Sequence, residues 1–265
     1  MPLSVFIVVL WMLAGLLAPL LPLHPEAIHL DRILAPPWVA GGLGYDDLGR
    51  PLLDRLLMGT ATSFHVAALT VSISAATGLL LGSLGGYLGG RFDAVLVRLI
   101  DVFLAFPGIL LAIALAATLG PGIDNVVLAL SVVGWVGFAR LARAQALSVR
   151  EREHVLAARA LGTHGPWLLF RHVIPLVLTP VLVEATFGVA SVIIAEAGLS
   201  FLGLGVQPPA ASWGSMIREG TRYLLVAPHL VLVPGLALFL VVLAVNLAGD
   251  WLRDRLDVRL REPRP

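Results

Sequence analysis

The 265-residue sequence contains no cysteine and no lysine. The first absence excludes disulfides and thiolate metal sites and leaves the redox compartment unreadable. The second excludes a phosphate-binding Gly-x-x-x-x-Gly-Lys-Ser/Thr loop, whose lysine reaches the nucleotide phosphates. Charge is scarce as well: Asp, Glu, Lys and Arg together make 13% of residues against 58% hydrophobic, with a mean hydropathy of +0.92. A soluble domain carries about 25% charged residues, so lipid must solvate most of this chain. There is no His-Glu-x-x-His, and no nucleophile and base stand at matched depth as an intramembrane hydrolase would need. No catalytic residue and no metal site is therefore assigned, and no cofactor is expected in this chain.

What is present is a series of apolar runs near the length of a bilayer span: Leu3 to Leu23, Phe64 to Leu88, Leu99 to Leu119, Asp124 to Leu147, Leu176 to Ala195 and Leu230 to Ala248. Each must be a helix, because strand edges in hydrocarbon leave backbone groups unpaired. The first run lacks a basic n-region and an Ala-x-Ala cleavage site, so it reads as a retained span rather than a signal peptide. The expected fold is an all-α membrane protein of six transmembrane helices, a single polytopic domain over residues 1–265.

All 18 basic residues other than histidine are Arg, and with the N-terminus inside, 13 fall on inside segments against five outside. The inside set includes Arg140, Arg143, Arg150, Arg152, Arg159, Arg171, Arg259, Arg261 and Arg264. The positive-inside rule then puts both termini in the cytoplasm. Two outside segments are long, His24 to Ser63 and Gly198 to His229. The first has a helical Leu48 to Leu57; the second a helix from Ser212 to Leu225, preceded by Phe201, Leu202, Leu204 and Val206, which should tuck back against the bundle.

The cytoplasmic loop, residues 148–175, is the most informative. Glu153, Leu156, Ala157, Ala158 and Arg159 build a short helix over 153–162 whose two alanines permit close approach by another protein, and Gly162 is placed to end it in a left-handed conformation. A solvated connector does not need so apolar a helix. Ala157-Ala158, three residues, Gly162, and then Ile174-Pro175 resemble the signature loop of ABC importer permeases, written Glu-Ala-Ala, three residues, Gly, nine residues, Ile-x-Leu-Pro. Leu156 stands where the family has Glu, and His172 where it has the first apolar residue.

Gly44 to Leu57, Asp101 to Pro107, Ala195 to Gly205, and Asn246 to Asp254 resemble the C-type permease of dipeptide, oligopeptide and nickel importers, over about residues 43–260. The resemblance implies a type I importer bundle in a bacterial or archaeal inner membrane. It also implies a second homologous permease, two ATPase subunits or domains that bind ATP and Mg, and an extracytoplasmic solute-binding protein. No nucleic acid is implied. Residues Glu153, Leu156, Ala157, Ala158, Arg159 and Gly162 then form the coupling element for the ATPase. Small peptides are the expected substrate. Nickel or a nickel chelate is the alternative, and an ion-gradient-driven secondary transporter is the alternative of another class; the latter predicts an internal repeat that the sequence does not show.

Acids within spans are expensive and usually paired or functional. Asp101, three residues after Arg98, is expected to pair with it. Glu184, about 12 Å along the fifth span, either lines the path or bonds to a neighbouring helix. Glu196, at the outer end of that span, either lines the path or positions the outer loop. Glycines 78, 82, 86 and 90 recur every four residues and should make a face for close helix contact. His24 and His29 are read as part of a solvated loop.

Overall fold

The computed structural model describes residues 2–40 and 42–256; Met1, Gly41 and residues 257–265, with Arg259, Arg261 and Arg264 among them, lie outside the described residues. Eleven α-helices follow one another: α1 (Leu3–Leu17), α2 (Pro37–Ala40), α3 (Leu52–Leu88), α4 (Gly90–Leu104), α5 (Gly108–Leu119), α6 (Ile123–Val149), α7 (Glu153–Ala160), α8 (Gly165–Leu168), α9 (Ile174–Phe201), α10 (Trp213–Thr221) and α11 (His229–Leu256). A π-helical turn, Leu169–Val173, joins α8 to α9. Among the described residues the only extended pairing is an isolated bridge between Tyr45 and Pro51.

Among the described residues five helical stretches are long and apolar enough to cross a membrane: Leu3–Leu20, Leu52–Leu88, Ile123–Val149, Gly165–Phe201 and His229–Leu256. The sixth expected span, Leu99 to Leu119, is instead a pair of helices, α4 and α5, bent by 83°. The break falls at Pro107, which has no N–H to offer the preceding turn and disfavours helical geometry at Phe106. The count of six holds when this pair is one span. The expected outer helix Leu48 to Leu57 is absorbed into the start of α3, and the outer helix after Ser212 is shorter than expected, ending at Thr221.

The chain packs as two compact units. One gathers the described residues up to Leu69, Ile113–Ala129 and Val189–Ala248; the other gathers Thr70–Ala112, Leu130–Gly188 and the described residues from Gly249. Trp11, Leu52, Ile193, Trp213, Met216 and Leu230 belong to the core of the first. Trp213 is its anchor: its indole N–H donates to the Leu56 carbonyl at 3.1 Å, and a side chain at Gly59 would strike the same ring. Val206 is buried in this unit and Leu204 half-buried, while Phe201 and Leu202 stay exposed, so the loop after α9 tucks in only in part.

In the second unit the glycine face of α3 lies on a row of alanines of α6. A Cβ on Gly78 would meet Phe138 and Ala139, one on Gly82 would meet Ala139 and Ala142, and one on Gly86 would meet Arg143 and Ala146. Ala139, Ala142 and Ala146 are fully buried. Small residues on both helices let the backbones approach, the geometry that drives helix association where there is no hydrophobic effect to do so. Gly90 leaves the pattern: its φ is +59°, it opens α4, and nothing lies within 4 Å of where its Cβ would be.

Candidate functional site

Helix α7 covers Glu153–Ala160, two residues shorter than expected, because Gly162 ends it as the sequence suggests. With φ at +92°, Gly162 lets its own N–H donate to the Arg159 carbonyl and the Thr163 N–H donate to that of Ala158, both at 3.0 Å. That pair of bonds is the Schellman closure, which satisfies carbonyls the last turn would leave open. Val155 is fully buried and seats the helix, and Ala158 is half-buried. Glu153, Leu156, Ala157 and Ala160, at i, i+3, i+4 and i+7, share the opposite exposed face. Arg159 is exposed on the flank. Leu161, 88% exposed, and Trp167 and Phe170 extend the open apolar surface past the helix. Exposed apolar area of this extent on a loop between spans is more than a solvated turn requires.

The approach to this helix is braced. Arg143 of α6 holds Asp93 of α4 by two parallel bonds, Nε to Oδ1 at 2.5 Å and Nη2 to Oδ2 at 2.6 Å. Arg150, at the end of α6, donates from Nη1 to the Gly86 carbonyl of α3 at 2.8 Å. Two-point guanidinium–carboxylate contact fixes orientation as well as distance. The sequence carries a weak signal for the first pair: Asp93 and Arg143 lie 50 residues apart, so only the charges and not their meeting could be read.

Glu184 is exposed and, among the described residues, has no hydrogen-bond or ion-pair partner. Its place on α9 is informative. Val177 and Val181, 7 and 3 residues earlier, are buried, and a Cβ on Gly188, 4 residues later, would meet Phe138 and Val71. Glu184 thus stands in line with the packed stripe of its helix and yet opens to space. The expected alternative, a bond to a neighbouring helix, is not made among the described residues.

Glu196 is placed differently: it is 1% exposed, accepts from the Ser200 hydroxyl at 2.7 Å and from Ser63 at 3.5 Å. Immediately beside it α10 begins, capped by Ser212, whose side chain accepts from the Ser215 N–H, and pressed so close to α9 that a Cβ on Gly214 would strike the Ala197 carbonyl. This buried carboxylate sits in the seat of the outer-loop helix.

The other end of α10 is held by charge. Asp46 Oδ2 meets Arg50 Nε at 2.6 Å and Arg55 Nη1 at 3.0 Å, and Glu219 Oε2 meets Arg55 Nη2 at 2.7 Å and Arg50 Nη2 at 3.3 Å. Asp46, Asp47 and Glu219 lie close enough to suggest a cation site. The two guanidinium groups already pair with Asp46 Oδ2 and Glu219 Oε2, so a metal ion there would meet like charge. His24 and His29 form no cluster: the His24 backbone N–H donates to Asp54, and the His29 ring meets Tyr45 edge-on. The expected pair between Arg98 and Asp101 is not formed; both side chains are exposed on α4 without a partner among the described residues.

A family model described as "binding-protein-dependent transport system inner membrane component" matches residues 78–262. The chain is 42% identical over 231 residues to a glutathione transport system permease protein of Pectobacterium atrosepticum, covering 87% of this chain and 77% of that protein. It is 42% identical over 246 residues to a di/tripeptide transport system permease protein of Pseudomonas aeruginosa, covering 91% and 81%. To a probable D,D-dipeptide transport system permease protein of Escherichia coli it is 40% identical over 255 residues, covering 96% and 86%. In fold it is similar to a chain of an inward-facing structure of the MetNI methionine ABC transporter, with a TM-score of 0.57 at 19% identity, over 77% of this chain and 95% of that one.

Proposed function

The chain belongs to the family of binding-protein-dependent transport system inner membrane components, and from that membership we propose that it forms one half of the path by which short peptides enter the cell. It is a permease subunit of an ABC importer, not an enzyme, and membership sets aside the secondary transporter. Peptides are favoured over nickel because three relatives at 40–42% identity are named for dipeptide, di/tripeptide and glutathione transport. The assembly is a second permease, two ATPase subunits that hold ATP and Mg, and an extracytoplasmic binding protein, in a bacterial or archaeal inner membrane with both termini cytoplasmic.

The observation that carries the reading is the exposed face of α7, built by Glu153, Leu156, Ala157 and Ala160 and closed by Gly162. It fits a groove on an ATPase subunit: small residues admit close approach, and Leu156 and Leu161 supply apolar area. A push on α7 passes into α6 through the short link 150–152. From there the Arg150 bond to Gly86 and the Arg143 grip on Asp93 carry it to α3 and α4. The result is a bistable bundle that ATPase closure biases toward one state. Glu184, open within a packed stripe, is assigned to the path; Glu196 is assigned to seating α10.

Ala157 is the position to test, being exposed where Ala158 is half-buried. Ala157→Glu places an unpaired charge in a desolvated contact, which costs several kcal/mol. The importer should lose uptake by at least about tenfold while the variant chain folds and inserts normally. Uptake at the wild-type rate with normal assembly would sink the docking model.

A further inference from the structure

Helices α3 and α4 are joined by a single residue. α3 ends at Leu88 and α4 opens at Gly90, and between them Gly89 takes φ +66° and ψ −155°, a backbone region essentially reserved for glycine. Gly90 follows at φ +59° with nothing within 4 Å of where its Cβ would be, so the joint is unbraced on that side. On the other side one group touches it: Arg150 Nη1, 3.6 Å from where a Cβ on Gly89 would be. The same nitrogen donates to the Gly86 carbonyl, in the last turn of α3, where the helix dipole favours a cation. Arg150 Nε donates at 3.0 Å to Glu151 in the link to α7, while the Arg150 backbone N–H still bonds the Ala146 carbonyl of α6.

We propose that Arg150 is a positioning residue for transport: its guanidinium sets the angle at which α4 leaves α3, and it turns with Glu151 when the link to α7 moves. This rests on the docking of α7 described above. Packing of α3 on α6 does not need the bond, because the glycines at 78, 82 and 86 already lie on Phe138, Ala139, Ala142 and Ala146. What the bond adds lies beyond that contact, at the joint. A guanidinium is planar and its donors keep a fixed fork, so a turn imposed at Nε is delivered at Nη1. The Arg143 grip on Asp93 ties α4 to α6 separately, so the Arg150 contact acts on the α3 side of the joint.

Arg150→Met keeps a long side chain and removes every donor. The chain has no cysteine, so in an importer whose partners' cysteines are removed, spin labels on Leu80→Cys of α3 and Leu99→Cys of α4, both exposed positions, read the angle at the joint. In Arg150→Met the label distance should shift or broaden while the second permease and the ATPase are recovered as before. ATP hydrolysis should stay within about twofold of wild type and uptake per ATP should fall by at least about fivefold. Arg150→Lys, which restores a charged donor, should recover at least about half of that uptake. An unchanged label distance in Arg150→Met overturns the proposal, as does uptake per ATP at the wild-type value. Loss of subunit recovery and ATP hydrolysis in step with uptake overturns it too, and reduces Arg150 to holding the loop folded. The label distance is read in this chain whether or not α7 docks. Wild-type uptake by Ala157→Glu beside a changed distance in Arg150→Met therefore sinks the docking reading and leaves the arginine's hold on the joint, whereas an unchanged distance sinks that hold alone.

Discussion

Arg55 is 1% exposed and, together with Arg50, shares Asp46 and Glu219, whereas Arg98, in the unit packed around Ala139, stands open with no partner among the described residues. The contrast extends past these residues. In the unit around Trp213 the acid at the heart of the packing, Glu196, is bonded to Ser200 and Ser63, and both ends of α10 are tied down. In the other unit Asp93, Arg143, Arg150 and Glu151 are satisfied internally, while among the described residues Glu184, Arg98, Asp101 and the face of α7 are left open. Charges closed on one another make a fixed element; charges left open mark surfaces completed by something else. The comparison breaks if substitutions in the first unit act mainly on function, or those in the second mainly on stability.

The largest effect on folding is expected at Arg55. Arg55→Ala leaves Asp46 and the half-buried Glu219 to Arg50 alone; a buried pair broken outright costs about 3–5 kcal/mol, and this variant should lose part of that. The variant should show a lowered unfolding midpoint in detergent and poor recovery from membranes. Normal stability would mean that the Asp46–Arg50–Arg55–Glu219 network is not what fixes α10.

Gly82→Leu comes next. The side chain would collide with Ala139 and Ala142, and overpacking of this kind costs about 1–3 kcal/mol. Gly90→Leu is the internal control for space, since nothing lies near its Cβ, although its φ of +59° adds backbone strain. Separation of α3 from α6, read by cross-linking of cysteines introduced on the two helices, should follow the first variant only. Equal loss of cross-linking in both variants would deny the glycine face its packing role.

Much of this is legible in the sequence. Apolar run lengths place the long helices, because hydrocarbon admits little else, and the spacing of Ala157, Ala158 and Gly162 locates α7 and its end because a left-handed closure demands glycine. What escaped reading depends on distance in sequence. Arg55 and Glu219 are 164 residues apart, and Asp93 and Arg143 are 50 apart, so no local pattern announces either contact. Local proximity also misled: Arg98 and Asp101 lie within one turn and do not pair, since each is free to extend away from the helix. The 83° bend had a visible cause in Pro107, but an apolar run reads the same whether straight or broken.

Glu184 offers the smallest effect on stability and the sharpest functional one. Having no partner among the described residues, it loses no bond there on conversion to Gln, so Glu184→Gln should shift stability by no more than about 0.5 kcal/mol, the range of substitutions away from packed or paired sites. Its position is roughly 15 Å along α9 from Ile174 at 1.5 Å per residue, a depth at which a carboxylate needs water or a counter-charge. A peptide passing such a group presents a free amino terminus, and the attraction between the two is lost when the carboxylate becomes an amide. Uptake of peptides with a free, positively charged amino terminus should therefore fall several-fold in Glu184→Gln, whereas N-acetylated peptides that the importer accepts should be carried as before. Glu184→Asp, which keeps the charge on a shorter arm, should recover part of the loss. Equal uptake of both substrate classes by the Gln variant would remove Glu184 from the path, and a marked fall in its stability would show that the carboxylate is bonded across a subunit boundary instead.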